Sequence, residues 1–385
     1  MIIDNLSIIF GCIIVLLTAI SIVANPFARS ISRKEDNNVA KDGNICETLP
    51  KISVVVLSHN NAEALDKHLP LILTQDYAPG YEVIVVGEKG DTNVEGVLNK
   101  YAHNSLLYAT FIPQQSLFMS KPKLSAALGI KAARNEWIVM LDATCKPMSD
   151  EWLKSVANSI KSGTNLVVGY SNYADEAKAY YRFIRLRESC YYLHTASYST
   201  AYRSTGSNIA FKRTEFIQRD GYRGNLQHVY GEYDFIINKF ARQGATSVVT
   251  HPDSFLREDS PTKKNWSERC IANSHVGYHL ERSTSTRLAY VIDVVFMYLC
   301  YMANIATGAF AYMTSRYPLL AIGVVCLLAA IGMRIWLVKV KCRQLNEHLS
   351  SWKIPFFELS LVWFDLITLL KYAKADKHDF TTHKI

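Results

Sequence analysis

Residues 6–24 form an apolar run without a charged side chain, long enough to cross a bilayer core of about 30 Å. No basic residue precedes the run, and it exceeds a typical signal-peptide core. It is therefore expected to be an uncleaved anchor. Arg29, Arg33 and Lys34 follow it, and by the positive-inside rule they place the next domain in the cytoplasm. Residues 288–313 and 318–338 are two further expected spans. A turn bearing Ser315, Arg316 and Tyr317 joins them, and Lys339, Lys341 and Arg343 follow, so this hairpin is expected to leave the cytoplasm and return. Residues 354–370 form a shorter apolar stretch that contains Glu358 and Asp365 and is flanked by Lys353, Lys371 and Lys374. A charge at mid-bilayer is costly, so this stretch is expected to be an interfacial or re-entrant helix. The expected organisation is an anchor (residues 1–28), a linker (29–50), a soluble domain (51–280), a membrane hairpin (281–345), and an interfacial helix with a basic tail (346–385).

The soluble region alternates strand and helix. Residues 52–57 are a short, β-branched run of the kind buried on both faces of a parallel sheet. Residues 62–74 follow with helical spacing of Leu65, Leu69, Ile72 and Leu73. Further strands are expected at 81–86, 106–111 and 137–141, with helices at 94–101 and 124–133. This pattern predicts an α/β fold with a mainly parallel central sheet and right-handed crossovers. Ligands of such sheets bind at the carboxyl ends of the strands. Those ends carry Ser58-His59-Asn60, Gly87-Glu88 and Asp142-Ala143-Thr144. Neither a GxGxxG nor a GxxxxGK[ST] loop is present, which argues against dinucleotide and P-loop folds.

The net charge of +8 lies in basic clusters beside the apolar segments, where anionic headgroups would meet them. With no zinc finger, RNA-binding signature or basic zipper, nucleic acid is not an expected partner. None of the eight cysteines forms a CxxC pair, which argues against a zinc site and for reduced, packing thiols.

Four segments, residues 52–61, 81–88, 123–133 and 136–147, resemble the family 2 glycosyltransferases of the GT-A fold in order and spacing. Gly206-Ser207-Asn208-Ile209-Ala210-Phe211 and Gly231-Glu232-Tyr233-Asp234-Phe235 resemble that family's acceptor-side motifs. The resemblance covers residues 51–272. It implies transfer of a sugar, with inversion, from a nucleoside-diphosphate sugar to an acceptor hydroxyl. It also implies site residues. Ser58, Asn60, Glu88 and Lys123 would hold the nucleotide sugar. Asp142 and Thr144 stand where the family has Asp-x-Asp, so Asp142 would bind Mg2+ or Mn2+, with a hydroxyl in the place of the second acid. Glu88 follows Gly87 where the family more often has two aspartates. Glu232 or Asp234 would be the catalytic base, and Tyr233 between them leaves the alignment open by one residue. Residues two apart on a helix do not share a face, so one of the two is expected to meet the acceptor. Asn208, Trp266 and Arg269 would serve the acceptor or a lid.

The Gln-x-x-Arg-Trp motif of processive members is absent, and the membrane region is small for a polymer channel. Residues 180–202, rich in Tyr and Arg, suit either an acceptor platform, a contact with lipid headgroups, or a helix packed on the sheet. The expected protein is a multi-pass enzyme of a bacterial inner membrane, with a cytoplasmic catalytic domain and a lipid-linked or surface-glycan acceptor. The rival reading is a degenerate transferase acting as a non-catalytic binding or regulatory subunit, motivated by Thr144 and Gly87. A membrane-anchored nucleotidyltransferase would need a glycine-rich basic loop where Ser58-His59-Asn60 stands.

Overall fold

The computed structural model describes residues 4–32, 49–116 and 118–381. Arg33, Lys34, Cys46 and most of the expected linker lie outside the described residues. The chain divides into two compact units: Met1–Ser30 with Ser283–Leu366, and Ile31–Arg282 with Ile367–Ile385.

The first unit contains three helices long and apolar enough to cross a membrane: α1 (Asn5–Ala24), then two helices at Thr284–Met313 and Tyr317–Gln344. Near the tight turn between the last two, Arg316 pairs with Asp4 at 2.9 Å. Deeper in the helix 317–344, the Arg334 side chain is almost fully buried. Its Nε and Nη2 meet the two Glu358 oxygens at 3.0 Å each, and Nη2 also meets Asp293 at 3.1 Å. Nη1 donates to the Ser21 carbonyl at 2.8 Å, and Asn25 donates to Glu358 at 3.2 Å. The stretch expected as one interfacial helix is two helices, Ile354–Leu359 and Leu361–Lys374, broken at Ser360. Its two acids are paired internally. Glu358 is buried against Arg334, and Asp365 accepts from the Tyr290 hydroxyl at 2.6 Å. Weighing Glu358 as a lone charge misses its partner, which sits inside a segment that reads as a plain apolar span.

The second unit is built on a seven-stranded sheet. Its elements in chain order are β1 (Ile52–Leu57), α2 (Ala62–Leu73), β2 (Tyr81–Glu88), α3 (Thr92–Lys100), β3 (Leu107–Ile112), α4 (Lys121–Ala132) and β4 (Trp137–Asp142). There follow β5 (Cys145–Pro147), α5 (Trp152–Asn158), β6 (Leu166–Gly169), β7 (Ser171–Tyr173), α6 (Ala179–Tyr198), β8 (Ile209–Lys212) and α7 (Arg213–Gln218). The unit continues with α8 (Glu232–Phe240), β9 (Thr246–Val249), β10 (Leu256–Glu258) and α9 (Lys263–His279).

The sheet order is β3-β2-β1-β4-β8-β6-β9, and a second sheet is ordered β5-β10-β7. The β3-β2-β1-β4 half is parallel, as expected from the buried aliphatic runs of β1, β2 and β4, with β3 only partly buried. β8 runs antiparallel between β4 and β6. All six β1 residues are buried, and α4 lies close above them. A Cβ at Gly129 would come within 2.5 Å of the Val55 side chain and 2.9 Å of Val86, so the approach of α4 requires glycine there. The parallel half brings the ends of β1 and β4 side by side, with Leu57 opposite Asp142.

Candidate active site

The carboxyl ends of β1 and β4 open into a cavity of about 390 Å3 within the second unit. Ser58, Asp142, Thr144, Glu232, Asp234 and Arg269 line it. These six, spread over more than 200 residues of sequence, are brought together by the fold.

Asp142 is held by one hydroxyl. Ser207 Oγ accepts from the Asp142 backbone N–H at 3.1 Å and donates to Asp142 Oδ2 at 3.2 Å. Burial, with the charges of Glu232 and Glu258, pushes the Asp142 carboxyl up to about 7, against the pull of Arg269 and Ser207. Thr144 lines the cavity beside it. The Thr144 carbonyl accepts from the Asp259 N–H at 3.0 Å, and its hydroxyl makes no hydrogen bond among the described residues.

Glu258, at the end of β10, is a further acid here, placed by its pairing with Cys145 in the small sheet. Burial alone would raise its pKa. The guanidiniums of Arg269 and Arg185 outweigh that and hold it at about 2. Arg185 donates to it at 2.6 Å, and Arg269 pairs with its other oxygen. Arg185 also lies over the Tyr173 ring, 4.5 Å from its centroid.

The two acids of α8 have different surroundings. Asp234 is buried and tied down: Arg203 Nε meets it at 3.0 Å, and the Ser204 N–H approaches at 3.4 Å. Glu232 has no ion pair among the described residues. Burial and the Asp234 charge push it above the ordinary glutamate range, while its own backbone amide, Lys123 and Arg269 pull the other way. Burial raises Asp234 as well, against the pull of Arg203 and the Ser204 N–H, so what sets Glu232 apart is that no guanidinium among the described residues occupies its carboxylate, which leaves it open to a proton. Tyr233 turns toward Ser207, with 3.5 Å between the hydroxyls. Gly231, at φ +92°, sets the entry to the helix, and a Cβ there would lie 2.9 Å from both the Phe235 and Val276 side chains.

Several expected site residues lie elsewhere. Asn60 is exposed, at φ +52°, and Asn61 lines the cavity in its stead, accepting from Ser58 Oγ at 2.8 Å. Glu88 ends β2 outside the lining, paired with Lys121 at 2.5 Å and with His59 at 3.4 Å. Lys123 is fully buried and does not reach the cavity. Its amine donates to the Asn225 and His228 carbonyls at 2.7 and 2.5 Å, 4.5 Å from the Phe235 centroid. Burial pulls that ammonium down to about 7, and the nearby Glu232 charge opposes the shift.

Asn208 is buried at φ +84°. Its amide donates to the Tyr170 and Ser254 carbonyls at 2.9 and 2.8 Å and accepts from Trp152 at 3.2 Å, so both its N–H groups are spent on fastening strands. Trp266 stacks on Tyr181 with 3.9 Å between centroids, outside the lining. Residues 180–202 are mostly the buried helix α6, which contributes Glu188 and Tyr192 to the cavity wall. Reading the sequence misses Glu258, Arg203 and Glu188. Their place depends on sheet pairing and ion pairs over long separations, and no local motif carries them.

Magnesium-type cations are bound by one or two carboxylates plus substrate phosphates. Asp142, with an unpaired hydroxyl at Thr144 and Glu232 and Glu258 near enough to raise its pKa, fits that donor set.

The profile of Glycosyl transferase family 2 matches residues 53–220. No curated protein sequence matches the chain. Among solved structures, the chain is similar to a mannosyltransferase, PcManGT from Pyrobaculum calidifontis, in complex with GDP-Man and Mn2+. Identity is 16% and the TM-score 0.51, over 85% of this chain and 99% of that one. It is also similar to S. aureus TarS in complex with UDP-GlcNAc, at 12% identity and a TM-score of 0.43, over 80% and 91% of the two chains. GalNAc-T7 with UDP, GalNAc and Mn2+ gives 17% and 0.41, over 56% and 45%. At 16% identity the mannosyltransferase likeness is one of fold.

Proposed function

We infer that this chain, which carries a glycosyl transferase family 2 domain over residues 53–220 on a GT-A-type fold, moves a hexosyl or related sugar from a nucleoside-diphosphate sugar to a lipid-linked or surface-glycan acceptor, with inversion. The carrying observation is the contrast within one cavity between Glu232, without an ion pair, and Asp234, held by Arg203. Glu232 is the proposed base, taking the acceptor proton as the acceptor oxygen displaces the diphosphate. Asp142 and Thr144 are the proposed holders of Mg2+ or Mn2+, which would neutralise the leaving diphosphate. Ser58 and Asn61 are proposed to meet the nucleotide side. Arg269 stands at the cavity with Glu258 as its counter-ion. The basic residues Lys339, Lys341 and Arg343 after the hairpin, and Arg29 after α1, support a cytoplasmic catalytic domain at a bacterial inner membrane. Such a placement suits a role in cell-envelope polysaccharide synthesis.

The test is turnover of a panel of UDP- and GDP-sugars with Mn2+ by the detergent-solubilised full chain, given isolated lipid-linked acceptors. Nucleoside diphosphate release is expected with one donor, and Asp142→Asn is expected to weaken donor binding at least about 10-fold. Tight nucleotide-sugar binding without turnover anywhere in the panel would favour the regulatory reading, which Thr144 and Gly87 motivate.

A further inference from the structure

Three histidines outside the cavity converge. His275 and His279 sit four apart on α9, hence on one face of that helix. His228 comes from the loop that leads into Glu232. One ring nitrogen from each lies within 4.8 Å of the others, and His228 Nδ1 and His275 Nε2 are 3.2 Å apart. Tetrahedral zinc with Zn–N bonds of about 2.0–2.1 Å needs ligand nitrogens about 3.3 Å apart. One pair therefore already stands at that spacing, and a modest swing of the exposed His279 ring would bring in the third.

On the two histidines of α9 the other ring nitrogen is engaged as ligand histidines require. His275 Nδ1 lies 3.2 Å from the Tyr372 hydroxyl, and His279 Nδ1 lies 2.9 Å from the His275 carbonyl. Such partners fix the tautomer and aim the free nitrogen at a metal. Phe235 stacks on His228 and Phe380 on His275, which holds both planes. The Lys123 amine donates to the His228 carbonyl. The absence of a CxxC pair says nothing of an all-imidazole site.

We propose that His228, His275 and His279 form a transition-metal site that takes Zn2+, with solvent as fourth ligand, and pins α9 to the loop before Glu232. α9 carries Arg269 and Asn273 into the cavity, so the metal would fasten one cavity wall to the start of α8. The proposal stands independently of the transfer reaction.

The test uses the full chain purified without a polyhistidine tag, stripped with chelator and titrated with Zn2+ by calorimetry. Co2+ absorption reports the geometry. One equivalent of Zn2+ with a tetrahedral Co2+ spectrum is expected, together with a rise in melting temperature on loading. His279→Ala, at an exposed position, is expected to weaken binding at least about 100-fold, and Tyr372→Phe about 10-fold. No binding by the wild-type chain, or affinity unchanged in His279→Ala, overturns the proposal.

Discussion

Replacing Glu232 by glutamine is expected to lower kcat by about 10²–10⁴-fold, the usual worth of a general base, with donor affinity and melting temperature held near wild type. Among the described residues the side chain has no ion pair to lose, so an isosteric amide is expected to leave the fold intact. Asp234→Asn is expected to act in the opposite order. It removes the counter-ion of the buried Arg203, and breaking such a pair costs about 3–5 kcal/mol, so the melting temperature falls. Loss of catalysis in Asp234→Asn at unchanged stability, with Glu232→Gln active, would reassign the base. The pH profile gives a second check. Glu232 has a raised pKa in the folded chain, so its basic form develops only above the ordinary glutamate range. The acid limb of kcat/KM is therefore expected above that range, falling as pH drops, and to lose the Glu232 contribution in Glu232→Gln, leaving that of Asp142.

The second large effect is expected at Arg334. Its guanidinium is buried with Glu358 and Asp293 and bonded to Ser21. Arg334→Ala leaves two acids without their partner in an apolar bundle, at a cost of about 3–5 kcal/mol. Thermal unfolding in detergent should show a clearly lower melting temperature. The triple change Arg334→Met, Asp293→Leu and Glu358→Leu is expected to recover most of it, because a buried ion cluster replaced by apolar groups is often neutral. An unchanged melting temperature in Arg334→Ala would remove the cluster from the account of stability.

Legibility in the sequence followed element length. β1 and β4 are legible because each is an aliphatic run buried on both faces, whereas β3 is only partly buried. β5, β7 and β10 are three residues each, too short for a periodicity, and Glu258 was hidden with them. Asp142 was legible because a buried strand ends on it. The roles expected of Lys123 and Asn208 could not be tested by pattern. A helix-start lysine reads the same whether it faces a ligand or turns to carbonyls more than 100 residues away. An asparagine after Gly206-Ser207 gives no sign that its amide is spent on Tyr170 and Ser254. The partner of Glu358 is not legible because Arg334 lies 24 residues earlier, in a segment dominated by apolar residues.

The Ser207 hydroxyl touches both Asp142 and, through Tyr233, the helix that carries Glu232. A shift of Asp142 on binding a donor would therefore move the same oxygen that meets the Tyr233 hydroxyl, one residue from Glu232, the proposed base. Linkage makes such a connection reciprocal: if donor occupancy strengthens acceptor binding by some factor, acceptor occupancy strengthens donor binding equally. Ser207→Ala is expected to cut that cooperativity while both ligands still bind singly, measurable as donor affinity with and without acceptor. The two halves of the reaction would then share one hydroxyl as a common thermodynamic currency, so that neither substrate's affinity is a property of its own subsite alone.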